Sequence, residues 1–505
     1  MQVLPPIQLW QMPSAQFNDW RAENDIPDLF EFLATLLPSF NEWIESTGVD
    51  AATLHRFVPL GDLFAGSNPK VYYRNPEPET FGNVYQCTDA PAEAEVERWS
   101  RAGKVIAIEG SFEPYFKWLK LRSGDGGYFL FDRRNSQYAN TFVYSMWVGG
   151  DARNSRAHLF KAHPVLKLGG ITLPPHVSFD ARNLDFCDLD HLVVGEGWTG
   201  SRWKPINYSS CRSLSFIGTN ANFFDFSECS VYDLVVRDSK VQDLHFKRCS
   251  ATTMRFESST LSKISFVSTQ TTLTFEGCQP SQIEYRPDPC ARHYVADANA
   301  FRAIRSMFQG VGLTSEASRF FYLEQCARRK ALFSPYAQHR DAYQGLTFPP
   351  DISVFKGPVL GGAPSMEVFR QLRLKRNIFR LQAWLHPRYA LTSLKFKLKW
   401  ATSAFDWLVW GYGERPARLF GGALAVILLY ATVFSFMSTQ IKVGNADISK
   451  FVDCLYFSMV TFSTLGYGDI LPATSLAKLL CGSEAILGAF TMGLFVAGFS
   501  NRNRY

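Results

Sequence analysis

Six consecutive residues near the end of the 505-residue chain could bind an ion through their backbone: Thr464-Leu465-Gly466-Tyr467-Gly468-Asp469. Glycine adopts backbone conformations that other residues resist, so a run with two glycines can turn several carbonyl oxygens to one side. A row of carbonyl oxygens can replace the water shell of an ion. At membrane depth, irregular backbone of this kind occurs only where protein buries it or where it lines a watery path. The motif therefore predicts an ion-coordinating loop.

Two apolar segments flank this loop, and each is long enough to span a membrane. No charged side chain occurs from Leu419 to Ile441, and Glu484 is the only one from Leu479 to Asn501. About 20 apolar residues cross a hydrocarbon core of roughly 30 Å. Between the spans, residues 451–462 carry a helix pattern, and the C-terminal end of that helix directs a negative dipole toward a central cation. The sequence thus predicts a span, a short pore helix, a coordinating loop and a second span.

This arrangement, over residues 417–505, resembles the pore domain of the two-transmembrane potassium channel family. The resemblance rests on the Thr-Leu-Gly-Tyr-Gly-Asp motif and the two spans. It implies a homotetramer around one central pore, with potassium as the permeant ion and no cofactor. In the implied selectivity filter, potassium binds to the Thr464 hydroxyl and to four carbonyl oxygens. The filter comprises Thr464, Leu465, Gly466, Tyr467 and Gly468, of which the first four supply those carbonyls.

The residues on either side of the filter are expected to support it. They are Ser463 and Asp469. Ser463 stands where the family often has threonine, and Leu465 stands where it more often has valine. A bulkier side chain behind the filter could change its rigidity, so a weakly selective cation channel is an alternative reading.

Two residues of the second span are candidates for a role in the pore. Gly488 lies 20 residues after Gly468 and matches the hinge glycine of the family. Its alternative role is close helix packing, since glycine is common in membrane helices. Glu484 lies one turn earlier, and an ionisable group inside a span is expensive and usually paired or functional. It either hydrogen-bonds the back of the pore helix or faces the cavity and attracts cations.

Basic residues predict the orientation of the spans. Arg415 and Arg418 precede the first span, and Arg502 and Arg504 follow the second, which places both termini in the cytoplasm. The N-terminus lacks the pattern of a secretory signal. We therefore expect a multi-pass protein of the plasma membrane, which in a bacterium is the inner membrane.

The net charge of +6 is concentrated just before the first span. Residues 370–418 hold eleven Lys/Arg and two Asp/Glu, which suits anionic lipid head groups better than nucleic acid. Arg370, Arg373, Arg376 and Arg380 cover one helix face, and Leu374, Ile378, Leu381 and Leu385 form another. A second segment, Leu394 to Trp410, combines lysines with Trp400, Trp407 and Trp410, a composition that favours the membrane interface.

A ten-residue repeat runs through residues 211–270. Its fourth positions are Leu214, Phe224, Leu234, Leu244, Met254 and Ile264, and its sixth positions are Phe216, Phe226, Val236, Phe246, Phe256 and Phe266. The underlying five-residue period fits neither a helix nor a simple strand, but it fits a solenoid that turns a corner every five residues. The stretch resembles the pentapeptide-repeat family, which implies a right-handed square β-helix. In that fold Cys229 and Cys249 face the core, and residues 195–208 break the period like an insertion.

The sequence therefore predicts a multidomain protein. An α+β module (1–170) is followed by a β-solenoid (171–290), a helical hairpin that caps it (291–345), a basic amphipathic linker (346–416) and the channel pore domain (417–505). Strands are predicted at Lys104 to Ile108, Tyr115 to Leu121, Tyr128 to Asp132 and Thr141 to Trp147. No catalytic constellation is apparent, and the ten cysteines form no CxxC pair, so neither an enzyme nor a structural zinc site is expected.

The cytoplasmic region is expected to gate the pore. A ligand or protein partner would bind the open and closed states differently and move residues 370–416. The solenoid is either a rigid scaffold or a partner surface. A membrane-tethered scaffold whose pore is vestigial is a further alternative.

Overall fold

The computed structural model describes residues 4–36, 39–50, 54, 63–64, 68–74, 85–89, 97, 108–123, 128–130, 142–148, 158–161, 166–200, 204–227, 229–287, 293–333, 335–343, 374, 377–378, 381, 385–415, 417–443, 446–447 and 450–502. The chain divides into two compact units. The first comprises residues 1–303 and 345–386, and the second comprises residues 304–344 and 387–505.

The described helices, in chain order, are α1 (Pro6–Gln11), α2 (Ser14–Asn24), α3 (Ile26–Leu36), α4 (Phe40–Ser46), α5 (Tyr115–Ser123), α6 (Tyr294–Gly310), α7 (Thr314–Phe333), α8 (Pro335–Gln338), α9 (Pro387–Val409), α10 (Ala417–Phe436), α11 (Phe451–Phe462) and α12 (Ser475–Arg502), with 3-10 turns at Arg340–Tyr343 and Ser438–Gln440. The described strands are β1 (Lys70–Arg74), β2 (Tyr85–Asp89), β3 (Ile108–Phe112), β4 (Tyr128–Leu130), β5 (Phe142–Val148), β6 (His158–Lys161), β7 (Leu166–Lys167), β8 (Thr172–Leu173), β9 (Cys187–Asp188), β10 (Val193–Val194), β11 (Lys204–Asn207), β12 (Ser215–Ile217), β13 (Asn220–Ser227), β14 (Ser230–Val231), β15 (Leu234–Arg237), β16 (Lys240–Lys247), β17 (Ser250–Glu257), β18 (Thr260–Val267), β19 (Gln270–Glu276), β20 (Gln279–Pro280), β21 (Ile283–Arg286), β22 (Ile441–Val443), β23 (Ala446–Asp447) and β24 (Ile470–Pro472).

Strands β7 to β21 form a β-solenoid of about six turns in the first unit. The pairing is parallel and one coil apart: Asn220 pairs with Lys240, and Lys240 pairs with Thr260, so each coil takes 20 residues. Left-handed backbone recurs at the corners every five residues, as at Ser213, Gly218, Phe223, Asp233, Asp238, Asp243 and Arg248. The predicted solenoid and its five-residue period are confirmed.

The solenoid interior is a stack of like side chains, as the repeat predicts. The rings of Phe226, Phe246 and Phe266 lie nearly parallel, with centroids 5.2 and 5.5 Å apart. Cys229 and Cys249 are 1% and 5% exposed, which confirms that they face the core. Burial raises the pKa of the Cys229 thiol, so this thiol is unreactive.

The prediction that residues 195–208 form an insertion is wrong for the part that the structure describes. Lys204 pairs with Phe224 and Ile206 with Phe226, one full coil apart. Trp198 is also buried in the interior. The sequence period breaks here because inward positions carry Trp198 and Lys204 in place of the usual leucine or phenylalanine. The Lys204 ammonium lies 5.0 Å from the centre of the Phe224 ring and donates to the Asn222 carbonyl.

The N-terminal helices pack directly on the solenoid. Trp10 donates a hydrogen bond to the Leu168 carbonyl at 2.9 Å, and the buried Arg182 guanidinium binds carbonyls at the end of α1. Helices α3, α4 and α5 form an aromatic core that includes Phe186 and Tyr208 of the solenoid. These contacts make the N-terminal region and the solenoid parts of one compact unit.

One predicted strand of the N-terminal region is a helix. Residues 115–121 lie in α5, because Tyr115 and Leu119, four residues apart, both enter the core. A strand would have placed Lys117 on that same buried face. Strands β4 and β5 agree with the predictions at 128–132 and 141–147, while residues 104–107 lie outside the described part of the chain.

The predicted helical hairpin is present, with its turn between Gly310 and Thr314. At the start of α6, Phe301 packs on Tyr285 of the last solenoid coil, with ring centroids 5.2 Å apart, as a cap requires. Helix α7 belongs to the second unit and packs against α9. The role of the hairpin as a cap stays a prediction.

The basic linker is described only in part. Leu374, Ile378, Leu381 and Leu385 are helical and exposed, whereas Arg370, Arg373, Arg376 and Arg380 lie outside the described residues. In α9 the tryptophans do not form the exposed face. The ring of Trp407 lies against α7, and Trp400 packs on Phe333. The exposed stripe consists instead of Leu391, Leu394, Leu398, Phe405 and Leu408.

Candidate functional site

The loop that carries the glycine motif lies between two helices of membrane-spanning length. Among the described residues, Ala417–Phe436 and Ser475–Gly498 are long and apolar enough to cross a membrane. Helix α11 packs against both α10 and α12. Phe434, Cys454, Phe457 and Ile470 form its small buried core. The predicted order of span, short helix, loop and span is confirmed.

Helix α11 ends where the motif begins. The Ser463 hydroxyl donates to the Met459 carbonyl at 2.8 Å, and the Leu465 amide donates to the Val460 carbonyl at 3.1 Å. The last carbonyls of a helix carry its partial negative charge. Asp453 in the first turn complements the opposite, positive end. The helix therefore presents a negative end at the start of the loop.

The backbone of the loop alternates in the sign of φ. Thr464, Gly466 and Gly468 have φ of +57°, +57° and +79°, and the intervening Leu465 and Tyr467 do not have positive φ. This alternation turns successive carbonyl oxygens to one side, as a coordinating row requires. A left-handed conformation costs a non-glycine residue about 1–2 kcal/mol, so Thr464 carries local strain of the kind that functional sites store.

The outer end of the loop is tied to α11. The Tyr456 hydroxyl donates to Asp469 Oδ2 at 2.9 Å, and Asp469 Oδ1 accepts from the Ile470 amide. This hydrogen bond, the strap, bridges residues 464–468, because Tyr456 precedes them in the chain and Asp469 follows them. Sequence reasoning singled out Asp469 but missed Tyr456. The hydroxyl of Tyr456 on a largely apolar helix was the available signal.

Glu484 lies on the back of α11. Its side chain is fully buried, and Ser458 is hydrogen-bonded both to its carboxyl group and to the Ile427 carbonyl of the first span. Ser458, another residue that sequence reasoning missed, thus joins all three membrane helices. Within one chain, the geometry matches the first alternative for Glu484, a partner for the pore helix.

Gly488 faces the end of α11 at very close range. A Cβ atom at this position would stand 1.8 Å from the Phe462 carbonyl oxygen and 2.7 Å from its carbonyl carbon. Phe462 is the last residue of α11, two residues before Thr464. Only glycine permits this approach of α12 to the base of the loop. Asp469, Glu484 and Gly488 thus all meet α11, at Tyr456, Ser458 and Phe462 respectively.

The C-terminal segment matches a known family. The ion channel family model covers residues 422–504. Residues 422–504 therefore form an ion-channel domain, and it is preceded by a pentapeptide-repeat-like solenoid.

Named relatives of the chain include potassium channels. The chain is 36% identical over 86 residues to two pore potassium channel b of Oryza sativa subsp. japonica, covering 17% of this chain and 24% of that protein. It is 45% identical over 62 residues to two-pore potassium channel 4 of Arabidopsis thaliana, covering 12% and 21%. It is 30% identical over 84 residues to a voltage-gated potassium channel of Aeropyrum pernix, covering 17% and 28%. The chain thus spans about a quarter of the length of these relatives, and no solved structure matches it significantly.

Proposed function

We propose that the protein is a homotetrameric potassium-selective channel whose filter comprises residues 464–468. The observation that carries the proposal is the alternating backbone at Thr464, Gly466 and Gly468, held at the negative end of α11 between two membrane-length helices. Potassium is the permeant ion, with the Thr464 hydroxyl and four backbone carbonyls as ligands. The ion channel family match of residues 422–504 and the potassium channel relatives of the chain support this choice of ion.

The geometry of the loop supports assembly of several identical chains, and the resemblance to two-transmembrane potassium channels sets the proposed number at four. One chain supplies one row of carbonyls, and a ring of ligands requires several rows related by closed symmetry. In one chain the side chains of Leu465 and Tyr467 are 62% and 67% exposed. We assign these apolar surfaces to contacts with neighbouring subunits around the pore.

The exposed stripe of α9 is assigned to the membrane surface. Its apolar residues are flanked by Lys395 and Lys399, and Asp406 is the sole acidic residue of α9. An apolar stripe with basic flanks binds the head-group region of anionic lipids. With Arg415 just before the first span and Arg418 in its first turn, this arrangement supports cytoplasmic termini and a location in the plasma membrane, which in a bacterium is the inner membrane.

Potassium flux through the purified full-length protein in liposomes tests the function. We expect a barium-sensitive current whose reversal potential in opposed potassium and sodium follows potassium. Gly466→Ala, at φ +57°, should abolish this selectivity, whereas Gly421→Ala in α10, where a Cβ meets no atom within 4 Å, is the matched control. A reversal potential near zero would indicate a weakly selective cation channel. The absence of any current would indicate a membrane-tethered scaffold.

We also propose that the cytoplasmic region gates the pore. The cytoplasmic signal, a ligand or a protein partner, must bind the open and closed states with different affinity. Removal of residues 1–290 should then change the potassium flux per tetramer. Equal flux in the two proteins would assign the solenoid a scaffold role.

A further inference from the structure

Helix α7 packs antiparallel along α9 in the second unit. Near the C-terminal end of α7, Lys397 donates to the Phe333 carbonyl at 3.1 Å. Further back along α7, Tyr322 and Arg329 contact Trp407 near the end of α9. Ser318, near the start of α7, is hydrogen-bonded to Glu414 just before the first span. One face of α7 therefore follows the chain from α9 to the beginning of α10.

Trp407 is at the centre of this contact. Its indole N–H donates to the Tyr322 hydroxyl at 3.1 Å, and the Arg329 guanidinium lies 4.0 Å from its ring centroid. Arg418, in the first turn of the first span, lies 5.0 Å from the same ring and donates to the Trp407 carbonyl at 2.6 Å. The ring of Trp407 thus meets α7 and Arg418 of α10, and its carbonyl also meets Arg418.

The turn between α9 and α10 is tightly constrained. Gly411, Tyr412 and Gly413 are all left-handed, with φ of +61°, +61° and +86°. Tyr412 reaches back to Ser403 at 2.9 Å, and the Arg415 guanidinium lies 4.3 Å from the ring centroid of Tyr322. Through Ser318 and Tyr322, α7 therefore directly contacts the turn that leads into the first span.

We propose that Trp407 is the positioning residue through which α7 sets the first span, so that control of the pore enters through α7. This inference rests on the proposed channel function and goes beyond it. Sequence reasoning placed the control in residues 370–416 alone, whereas here the contacts of α7 with residues 407–415 carry it. The Trp407–Tyr322 hydrogen bond is made in only one of the two gating states, since only a differential contact can shift an equilibrium.

Single-channel recording from full-length protein in planar bilayers tests this proposal. Trp407→Phe removes the indole donor, and Tyr322→Phe removes the hydroxyl that accepts from it. Losing one hydrogen bond in one state should change the closed-to-open ratio by about two- to tenfold. Because both substitutions remove the same hydrogen bond, we expect Tyr322→Phe to have no further effect in the Trp407→Phe background, whose indole contacts with Arg329 and Arg418 are also lost. Unitary conductance and reversal potential should stay at the wild-type values.

Matched controls lie along the earlier part of α9. Tyr343→Phe and Trp400→Phe make the same two substitutions against the earlier part of α9, where Tyr343 meets Ser393 and Trp400 meets Phe333. They should leave the closed-to-open ratio within about twofold of wild type, and all variants should unfold at similar temperatures. A low melting temperature of Trp407→Phe would show that this variant loses the folded tetramer rather than altering gating. In that case Tyr322→Phe, which removes a single oxygen atom, carries the test.

The outcomes separate the two proposals. If the wild-type protein conducts potassium and both single variants gate as wild type does, the role of Trp407 is overturned and the channel function stays intact. Additive effects of the two substitutions in the double variant would have the same meaning. A wild-type protein without potassium current would overturn the channel function and this inference with it.

Discussion

The close approach of α12 to the pore helix makes Gly488→Ala a severe test of the site. The added methyl carbon would stand 1.8 Å from the Phe462 carbonyl oxygen. Weak carbon–oxygen contacts settle near 3.3 Å, so α12 and the end of α11 must separate by about 1.5 Å. The obstacle is backbone, which cannot rotate away as a flexible side chain can. Overpacking of this kind costs ~1–3 kcal/mol, and the displacement acts two residues before Thr464.

We expect Gly488→Ala to lower the thermal stability of the purified tetramer and to reduce potassium selectivity. Melting temperatures and reversal potentials in potassium and sodium measure these effects. Gly482→Ala and Gly493→Ala are matched controls on the same helix, because a Cβ at either position meets no atom within 4 Å in one chain. A hinge role would instead leave stability and selectivity unchanged and alter only the opening of the channel. Behaviour of Gly488→Ala like that of the two controls would refute the packing argument.

Three further predictions concern groups around α11 and beside α9. Tyr456→Phe removes the strap to Asp469 and should shorten channel openings in single-channel records, whereas unchanged open times would show that the strap is dispensable. Glu484→Gln keeps a hydrogen-bonding partner for Ser458 and should retain tetramer stability. Glu484→Ala should lower the free energy of thermal unfolding by about 1–3 kcal/mol. Equal stability of the two variants would contradict this. Burial, together with the nearby charge of Lys399, lowers the pKa of His339 in the folded protein. The contribution of His339 to stability is therefore fully present above the unfolded-state pKa, near 6.5. It is lost as the pH falls through the lower pKa of the folded state. The melting temperature should therefore fall less steeply between pH 7 and 5 in His339→Gln than in wild type, and parallel pH profiles would exclude this role.

Predictions from the sequence succeeded where a residue's role depends on its neighbours along the chain. The five-residue period of the solenoid is local, so Phe226, Phe246 and Phe266 could be assigned to one interior stack before any coordinates were known. The same reasoning failed at Trp198 and Lys204. Their backbone follows the solenoid, but their side chains do not match the residue types of the repeat. It also failed at Tyr115, where alternation and helical spacing are both compatible with a short apolar run.

Within the candidate site, the sequence by itself determined the membrane spans, the pore helix and the glycine-rich loop, because apolar length and glycine spacing are properties of consecutive residues. Only the tertiary structure decided that Tyr456 reaches Asp469, that Ser458 joins Glu484 to the first span, and that Gly488 meets the Phe462 backbone. It also decided that the ring of Trp407 lies against α7, although a tryptophan beside a membrane span is equally suited to lipid head groups. These contacts join residues that are distant in sequence, and they depend on which helix faces meet, which a one-dimensional pattern does not specify.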